Sequence, residues 1–186
     1  MACYSNGRDR LNCFALVTYI PNPLGEFLDD LRKELVPGCK PHAHVTILPP
    51  RPIGSDEASA ARTLSPLVSE FSPFEIEAAQ IEVFPVTDVV YVGIGSGERQ
   101  LRAMHAAMNT GPLEFKEPFP YHPHITLTQE LTPEQAKEFA ALARRRWSEF
   151  LYRRRFTVET LSFVQNTVQN NWIDLAHFSL NAVPVR

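Results

Sequence analysis

One short pattern occurs twice in this chain, as His42-Ala-His-Val-Thr-Ile-Leu48 and as His122-Pro-His-Ile-Thr-Leu-Thr128. Both stretches follow the form H-x-H-(Val/Ile)-T-(Ile/Leu), and four of the 6 histidines of the chain belong to them. Two such matches in one chain are too improbable to be accidental. The order of helices and strands predicted around the first copy also recurs around the second, so each half of the chain is expected to carry one motif.

Both copies are expected to lie on β-strands, where alternate side chains point to opposite faces of the sheet. One face would then be polar, and its residues are His42, His44 and Thr46 in the first copy and His122, His124, Thr126 and Thr128 in the second. The other face carries mostly apolar side chains that can pack beneath helices. If the polar faces meet, they form a cleft with a histidine on each wall.

Two histidines across a cleft suit the chemistry of a phosphodiester. One group must take a proton from the nucleophile and another must give a proton to the leaving oxygen, and histidine does either because its ordinary pKa is about 6.5. We therefore predict that His44 and His124 are catalytic. The hydroxyls of Thr46 and Thr126 are predicted to bind the non-bridging oxygens of the phosphate.

Other interpretations of the repeat stay open. H-x-H spacing also occurs in metal sites, and two pairs could form a four-histidine site. No Asp or Glu lies close to either pair in sequence, so a hydrolytic metal centre is the weaker hypothesis and no cofactor is expected. A non-catalytic module that binds nucleotides or terminal phosphates is a third hypothesis. His42 and His122 are candidate supporting residues, while His105 and His177 are expected to be structural.

Hydrophobic periodicity predicts an α+β protein with largely antiparallel sheets. Helices are predicted over 24–35, about 55–71 with a break or kink at Pro66, 98–108, and from Pro133 after the N-cap Thr132 and its capping-box Gln135. Strands are predicted over 14–20, 43–48, 74–84, 89–94, 121–128, 156–164 and 172–180, and the last two are expected to form a hairpin. Residues 1–11 are expected to be a flexible tail and residues 12–186 a single domain.

Composition narrows the classes of function. The chain has 44% hydrophobic and 21% charged residues, which is typical of a globular protein, and no apolar stretch is long enough for a membrane helix. A net charge of −3 disfavours binding to extended duplex nucleic acid and favours a small nucleotide or an RNA end.

The polar N-terminus predicts a cytoplasmic location, and Cys3, Cys13 and Cys39 are expected to be reduced thiols. The arginine clusters at 144–146 and 153–155 are expected to be solvated rather than a phosphate patch, and no protein partner is implied.

The motifs make the chain resemble the two-histidine (2H) phosphoesterase superfamily, which includes the 2′-5′ RNA ligase-like and cyclic phosphodiesterase families. The resemblance rests on His44-Val-Thr-Ile47 and His124-Ile-Thr-Leu127, and the order of elements agrees over roughly residues 12–183. It implies a bilobal, pseudo-twofold α+β fold, with helices outside and the motifs facing a central cleft. It also implies hydrolysis or ligation of 2′,3′-cyclic or 2′-5′ phosphodiester bonds, as in RNA processing, with one motif histidine as base and the other as acid. Gln129 stands where a basic residue often follows the second motif, which favours hydrolysis over ligation.

Overall fold

The computed structural model describes residues 9–181. Its helices are α1 (Leu24–Leu35), α2 (Glu57–Ser69), α3 (Glu98–Met108) and α4 (Pro133–Glu149), with a 3-10 turn at Gly111–Leu113. Its strands are β1 (Arg10–Tyr19), β2 (His44–Arg51), β3 (Phe74–Val83), β4 (Val90–Ile94), β5 (His124–Thr128), β6 (Arg155–Val158), β7 (Thr160–Thr167) and β8 (Trp172–Ser179). The predicted tail lies mostly outside the described residues, which enter strand β1 at Arg10.

The strands form two four-stranded antiparallel sheets, in the orders β2-β1-β7-β8 and β5-β4-β3-β6. The motif strands β2 and β5 are each the edge strand of their sheet, and the two edges contact each other. Helix α1 packs against β5 and helix α3 against β2, so each motif strand is supported by a helix from the other half of the chain. This arrangement confirms the predicted α+β fold with two antiparallel sheets.

The helices follow the apolar spacing of the sequence. Helix α1 buries Leu24, Leu28, Leu31 and Leu35 along one stripe, and each such side chain contributes roughly 1.5–3 kcal/mol by leaving water. Helix α4 begins at the predicted cap, where the Thr132 hydroxyl accepts from the backbone of Gln135 and the Gln135 side chain accepts from the backbone of Thr132. No helix within residues 9–181 is both long and apolar enough to cross a membrane.

The single strand predicted over 156–164 is wrong. Residues 156–164 are divided between two strands in different sheets, since β6 pairs with β3 whereas β7 pairs with β1 and β8. Burial alternates along β6 but is continuous from Leu161 to Gln165, because β7 is an inner strand covered on both faces. The apolar pattern of one strand therefore runs into that of the next without a turn signal. Helix α2 continues through Pro66 to Ser69, so it has no break there, and the kink stays a prediction.

Candidate active site

The two motif copies occupy equivalent places in their sheets. His44 is the first residue of β2 and His124 the first residue of β5. Burial follows the same sequence of classes over residues 41–48 and 121–128, with the first histidine exposed and the second histidine and the threonine half-buried. The predicted alternation of faces therefore holds around the histidines and threonines, although both strands begin later than the sequence predicts.

A β-bulge follows the threonine of each motif. In each case the motif strand carries one residue more than its neighbour, which turns two consecutive side chains inward. The bulge lies between the pairs Val17–Thr46 and Leu16–Leu48 in the first sheet, and between Tyr91–Thr126 and Val90–Thr128 in the second. As a consequence Thr128 is 3% exposed, and its predicted place on the polar face is wrong.

Each motif histidine makes the same hydrogen bond to the residue two positions before it. The distance from Nδ1 of His44 to the carbonyl oxygen of His42 is 2.7 Å, and that from Nδ1 of His124 to the carbonyl oxygen of His122 is also 2.7 Å. A carbonyl only accepts, so Nδ1 carries the hydrogen and donates it. In the neutral ring Nε2 then holds the free lone pair, and it has no hydrogen-bond partner elsewhere in the described part of the chain.

The surroundings of both histidines favour the neutral imidazole. Burial lowers the pKa of His44 to about 4, and the positive charges of Arg32, His42 and His124 act in the same direction. Burial likewise lowers the pKa of His124, assisted by the charge of His122. Because the charge of His124 acts on His44, a proton on one motif histidine disfavours a proton on the other.

Tyr121 connects the two motifs. It immediately precedes the second motif, and its hydroxyl donates a hydrogen bond of 2.7 Å to the backbone carbonyl of Thr46 in the first. Its ring stacks on His105 of helix α3, with 4.0 Å between the ring centroids. His105 in turn places Nε2 2.8 Å from Oε1 of Glu117, in accordance with the structural role predicted for it. A specific hydrogen bond therefore joins the two motifs.

Arg51 anchors the other end of this network. It is the last residue of β2, is 1% exposed, and forms an ion pair with Glu117. Its guanidinium also donates to Oδ1 of Asn109 at 2.6 Å and to the carbonyl of Leu113 at 3.1 Å. A chain of contacts thus runs from Arg51 through Glu117 to His105 by polar interactions, from His105 to Tyr121 by ring stacking, and from Tyr121 to the backbone of the first motif by a hydrogen bond.

Comparison with known proteins identifies the family. The model of the 2′-5′ RNA ligase superfamily matches residues 20–170. The chain belongs to this superfamily. It is a member of the wider 2H phosphoesterases, as the motifs predict.

Relatives of this superfamily member support the assignment. A Bacillus licheniformis protein named "Putative phosphoesterase" is 27% identical over 125 residues, which are 66% of this chain and 73% of that protein. A second protein of that name, from Oceanobacillus iheyensis, is 28% identical over 85 residues, which are 44% of this chain and 49% of that protein. The chain is thus a phosphoesterase-type protein.

Solved structures support the fold. Escherichia coli LigT in complex with 3′-AMP superposes with a TM-score of 0.62 at 16% identity, covering 90% of this chain and 97% of LigT. Usb1 of Kluyveromyces marxianus superposes with a TM-score of 0.50 at 12% identity, covering 88% of this chain and 97% of Usb1. At such low identity the two structures show that the 2H phosphoesterase fold is shared.

In this 2H phosphoesterase the exposed histidines of the two motifs have different neighbours. His42 stacks on Tyr19 with 3.6 Å between the ring centroids. His122 lies edge-on to Phe84 at 5.2 Å, and Phe84 also contacts the ring of His124 at 5.1 Å. Phe84 therefore lies beside the motif histidines of the second copy.

Two further features of this superfamily member are the possible metal ligands and the two arginine clusters. Within residues 9–181 no group of three or more His, Cys, Asp and Glu side chains is arranged to hold a metal ion. Several clustered arginines make contacts within the protein, since Arg146 pairs with Glu34 and Arg155 pairs with Glu75 and Glu77. Arg146 and Arg155 are therefore exposed arginines whose charges are paired within the protein.

Proposed function

We propose that this protein is a metal-independent phosphoesterase that hydrolyses 2′,3′-cyclic or 2′-5′ phosphodiester bonds of nucleotides or RNA ends. His44 and His124 act as the general acid–base pair. The observation that supports this most is the duplicated hydrogen bond from Nδ1 to the carbonyl two residues before it. It orients both rings in the same way and leaves both Nε2 atoms available for proton transfer.

Hydrolysis of a 2′,3′-cyclic phosphate requires two proton transfers. One neutral histidine takes a proton from water through Nε2 while the water oxygen forms a bond to phosphorus. The other histidine, protonated, gives its proton to the ribose oxygen whose bond to phosphorus breaks, and a phosphomonoester remains. The half-buried hydroxyls of Thr46 and Thr126 donate hydrogen bonds to the non-bridging oxygens, where negative charge increases in the transition state.

The protonated histidine is supplied by the substrate complex. Burial keeps both imidazoles neutral in the free protein, as the lowered pKa values of His44 and His124 indicate. An anionic phosphate beside them favours the charged form and raises the pKa of the nearer histidine. Substrate binding therefore brings one member of the pair into its acid form without a permanent cation in the site.

A nucleotide-sized substrate fits the charge of the protein and its relatives. The net charge of −3 is unfavourable for the many phosphate contacts that hold extended nucleic acid. LigT of Escherichia coli has been crystallised with 3′-AMP and with phosphate, which supports a small phosphate ester as the ligand. Gln129, exposed directly after β5, provides no positive charge there, so hydrolysis is favoured over ligation.

The test is hydrolysis of a panel of 2′,3′-cyclic nucleotides, 2′-5′ dinucleotides and oligonucleotides with cyclic phosphate ends, each with and without EDTA. We expect turnover of at least one cyclic phosphate that EDTA leaves unchanged. Abolition of turnover by EDTA would replace the proposal with a metal hydrolase. Binding of these ligands without any turnover would replace it with a nucleotide- or phosphate-binding module.

A further inference from the structure

The flank of helix α1 beside its apolar stripe faces the first motif. Gly25, Asp29 and Arg32 are spaced i, i+4 and i+7 and so lie along one side of the helix. At Gly25 the helix lies directly against the residue that follows strand β1. A Cβ at this position would come within 2.1 Å of the carbonyl oxygen of Ile20. The Ile20 amide itself donates to the carbonyl of Ala43 at 2.9 Å, which joins this segment to the start of the first motif.

The next two turns of the same flank reach the motif histidines. Burial raises the pKa of the Asp29 carboxyl, while the backbone amide of Ala43 and the charge of His42, both close to it, partly oppose this shift. One turn further along, the guanidinium of Arg32 lies close enough to His44 for its positive charge to act on the imidazole. Arg32 is thus a cation beside the histidine that we propose to be catalytic.

The guanidinium of Arg32 forms no ion pair with any residue that the structure describes. Its Nε is shielded from solvent and makes no hydrogen bond. None of the ion pairs found within residues 9–181 includes Arg32, although exposed arginines such as Arg102, Arg146 and Arg155 each contact a carboxylate. Burial lowers the pKa of Arg32, and the nearby Asp29 carboxyl acts in the opposite direction without forming a hydrogen bond with the Arg32 side chain. The Cys39 thiol donates to the backbone carbonyl of Arg32, not to its guanidinium. A guanidinium N–H that is shielded from water and has no acceptor is unfavourable until an acceptor reaches it.

We propose that Arg32 binds the substrate's phosphate beside His44 and is the anion anchor of the site. The anchor deepens the function proposed for His44 and His124 and rests on it. A phosphate oxygen supplies both the acceptor that Nε–H lacks and the opposite charge, and a guanidinium binds phosphate through two parallel hydrogen bonds. Anion binding also neutralises the charge of Arg32 and so raises the pKa of His44.

Direct binding of inorganic phosphate tests the anchor without turnover. Calorimetry on the wild type, Arg32→Met and Arg32→Lys should show that the Met variant binds phosphate roughly 10-fold or more weakly, because a charge-assisted bidentate contact is lost. Arg32→Lys keeps the positive charge but cannot make the two parallel hydrogen bonds of a guanidinium. Its phosphate affinity should therefore lie between those of the wild type and Arg32→Met. Lys33→Met is the matched control: Lys33 is the next residue of the helix, is exposed and pairs with Asp30 at 2.8 Å. It should bind phosphate as the wild type does.

An NMR titration of His44 gives a second measurement that a purely structural role would not change. Without phosphate, the pKa of His44 should be higher in Arg32→Met than in the wild type, since a nearby positive charge is removed. Phosphate should raise it in the wild type and much less in the Met variant. The proposal is overturned if folded Arg32→Met and Arg32→Lys proteins both bind phosphate with unchanged affinity.

The two proposals fail in different ways. If Arg32→Met loses phosphate affinity while the wild type hydrolyses no substrate, the anchor stands and the phosphoesterase function fails. If turnover depends on both motif histidines while phosphate affinity is the same with and without Arg32, the function stands and the anchor fails.

Discussion

The hydroxyl of Tyr121 donates a hydrogen bond of 2.7 Å to the backbone carbonyl of Thr46, and so joins the residue before the second motif to the threonine of the first. Tyr121→Phe keeps the ring that stacks on His105 and removes only this bond. We expect the free energy of unfolding to fall by about 0.5–1.5 kcal/mol. We expect kcat to fall roughly 10-fold to 100-fold, because small displacements of catalytic groups have large effects on rate.

Tyr152→Phe is the matched control for Tyr121→Phe. Tyr152 is 67% exposed and contacts Phe150, away from both motifs, so neither kcat nor stability should change. Urea denaturation and steady-state kinetics on the three proteins make the comparison. Wild-type kcat in Tyr121→Phe would show that the spacing of the motifs does not depend on this bond.

The pH dependence of kcat/KM should be bell-shaped with its maximum on the acid side of neutrality. The pKa of His44 is lowered to about 4, and that of His124 is lowered from its ordinary 6.5. The base is lost as the pH falls through the lower pKa, and the acid is lost as the pH rises through the higher one. Rates measured between pH 3.5 and 9 at constant ionic strength should therefore peak between about 4 and 6.5. A maximum above pH 7 would contradict this prediction.

His44 should also make stability depend on pH. Its pKa is about 4 in the folded chain and 6.5 in the unfolded chain, so the unfolded chain binds more protons between these values. The stability of the wild type should fall as the pH drops from 6.5 towards 4. His44→Gln removes this group, so its Tm should fall less over the same interval. If Tm falls equally in both proteins, the lowered pKa of His44 is not the source of the pH dependence of stability.

Glu117 should be essential to the stability of the supporting network. It is the ionic partner of Arg51, which is 1% exposed, so Glu117→Gln leaves a buried guanidinium without its counter-charge. We expect a loss of about 3–5 kcal/mol in the free energy of unfolding. Glu75→Gln breaks only an exposed pair with Arg155 and should cost about 0–1 kcal/mol. Similar small losses in both variants would contradict the role assigned to this ion pair.

Local pattern was a good guide to the helices of this chain. Helices α1 and α3 have the predicted bounds, because their apolar spacing ends at Pro37-Gly38 and at Gly111-Pro112. The ends of the strands were harder to predict. The chain passes from one sheet to the other at Glu159 without any change in its apolar pattern. The inward turn of Thr128 depends on a bulge that two paired strands create together.

The site residues that belong to the repeated motif could be predicted from the sequence, whereas those outside the motif could not. The repeat marks His44 and His124, yet position 121 corresponds to Pro41 in the first copy, so nothing marked Tyr121. Its contact with Thr46 spans 75 residues of sequence and exists only in the folded chain. Arg32 resembles an ordinary solvated arginine in the last turn of a helix, and its missing partner becomes visible only when its surroundings are known.

The most direct test of the paired histidines is the rate of 2′,3′-cyclic nucleotide hydrolysis by His44→Gln, His124→Gln and the double variant. If both imidazoles act in one step, each single variant should lose about 10²-fold to 10⁴-fold in kcat. The double variant should be scarcely slower than the slower single variant, because the first substitution already disables the pair. Wild-type rates in either single variant would contradict the claim that His44 and His124 transfer the protons.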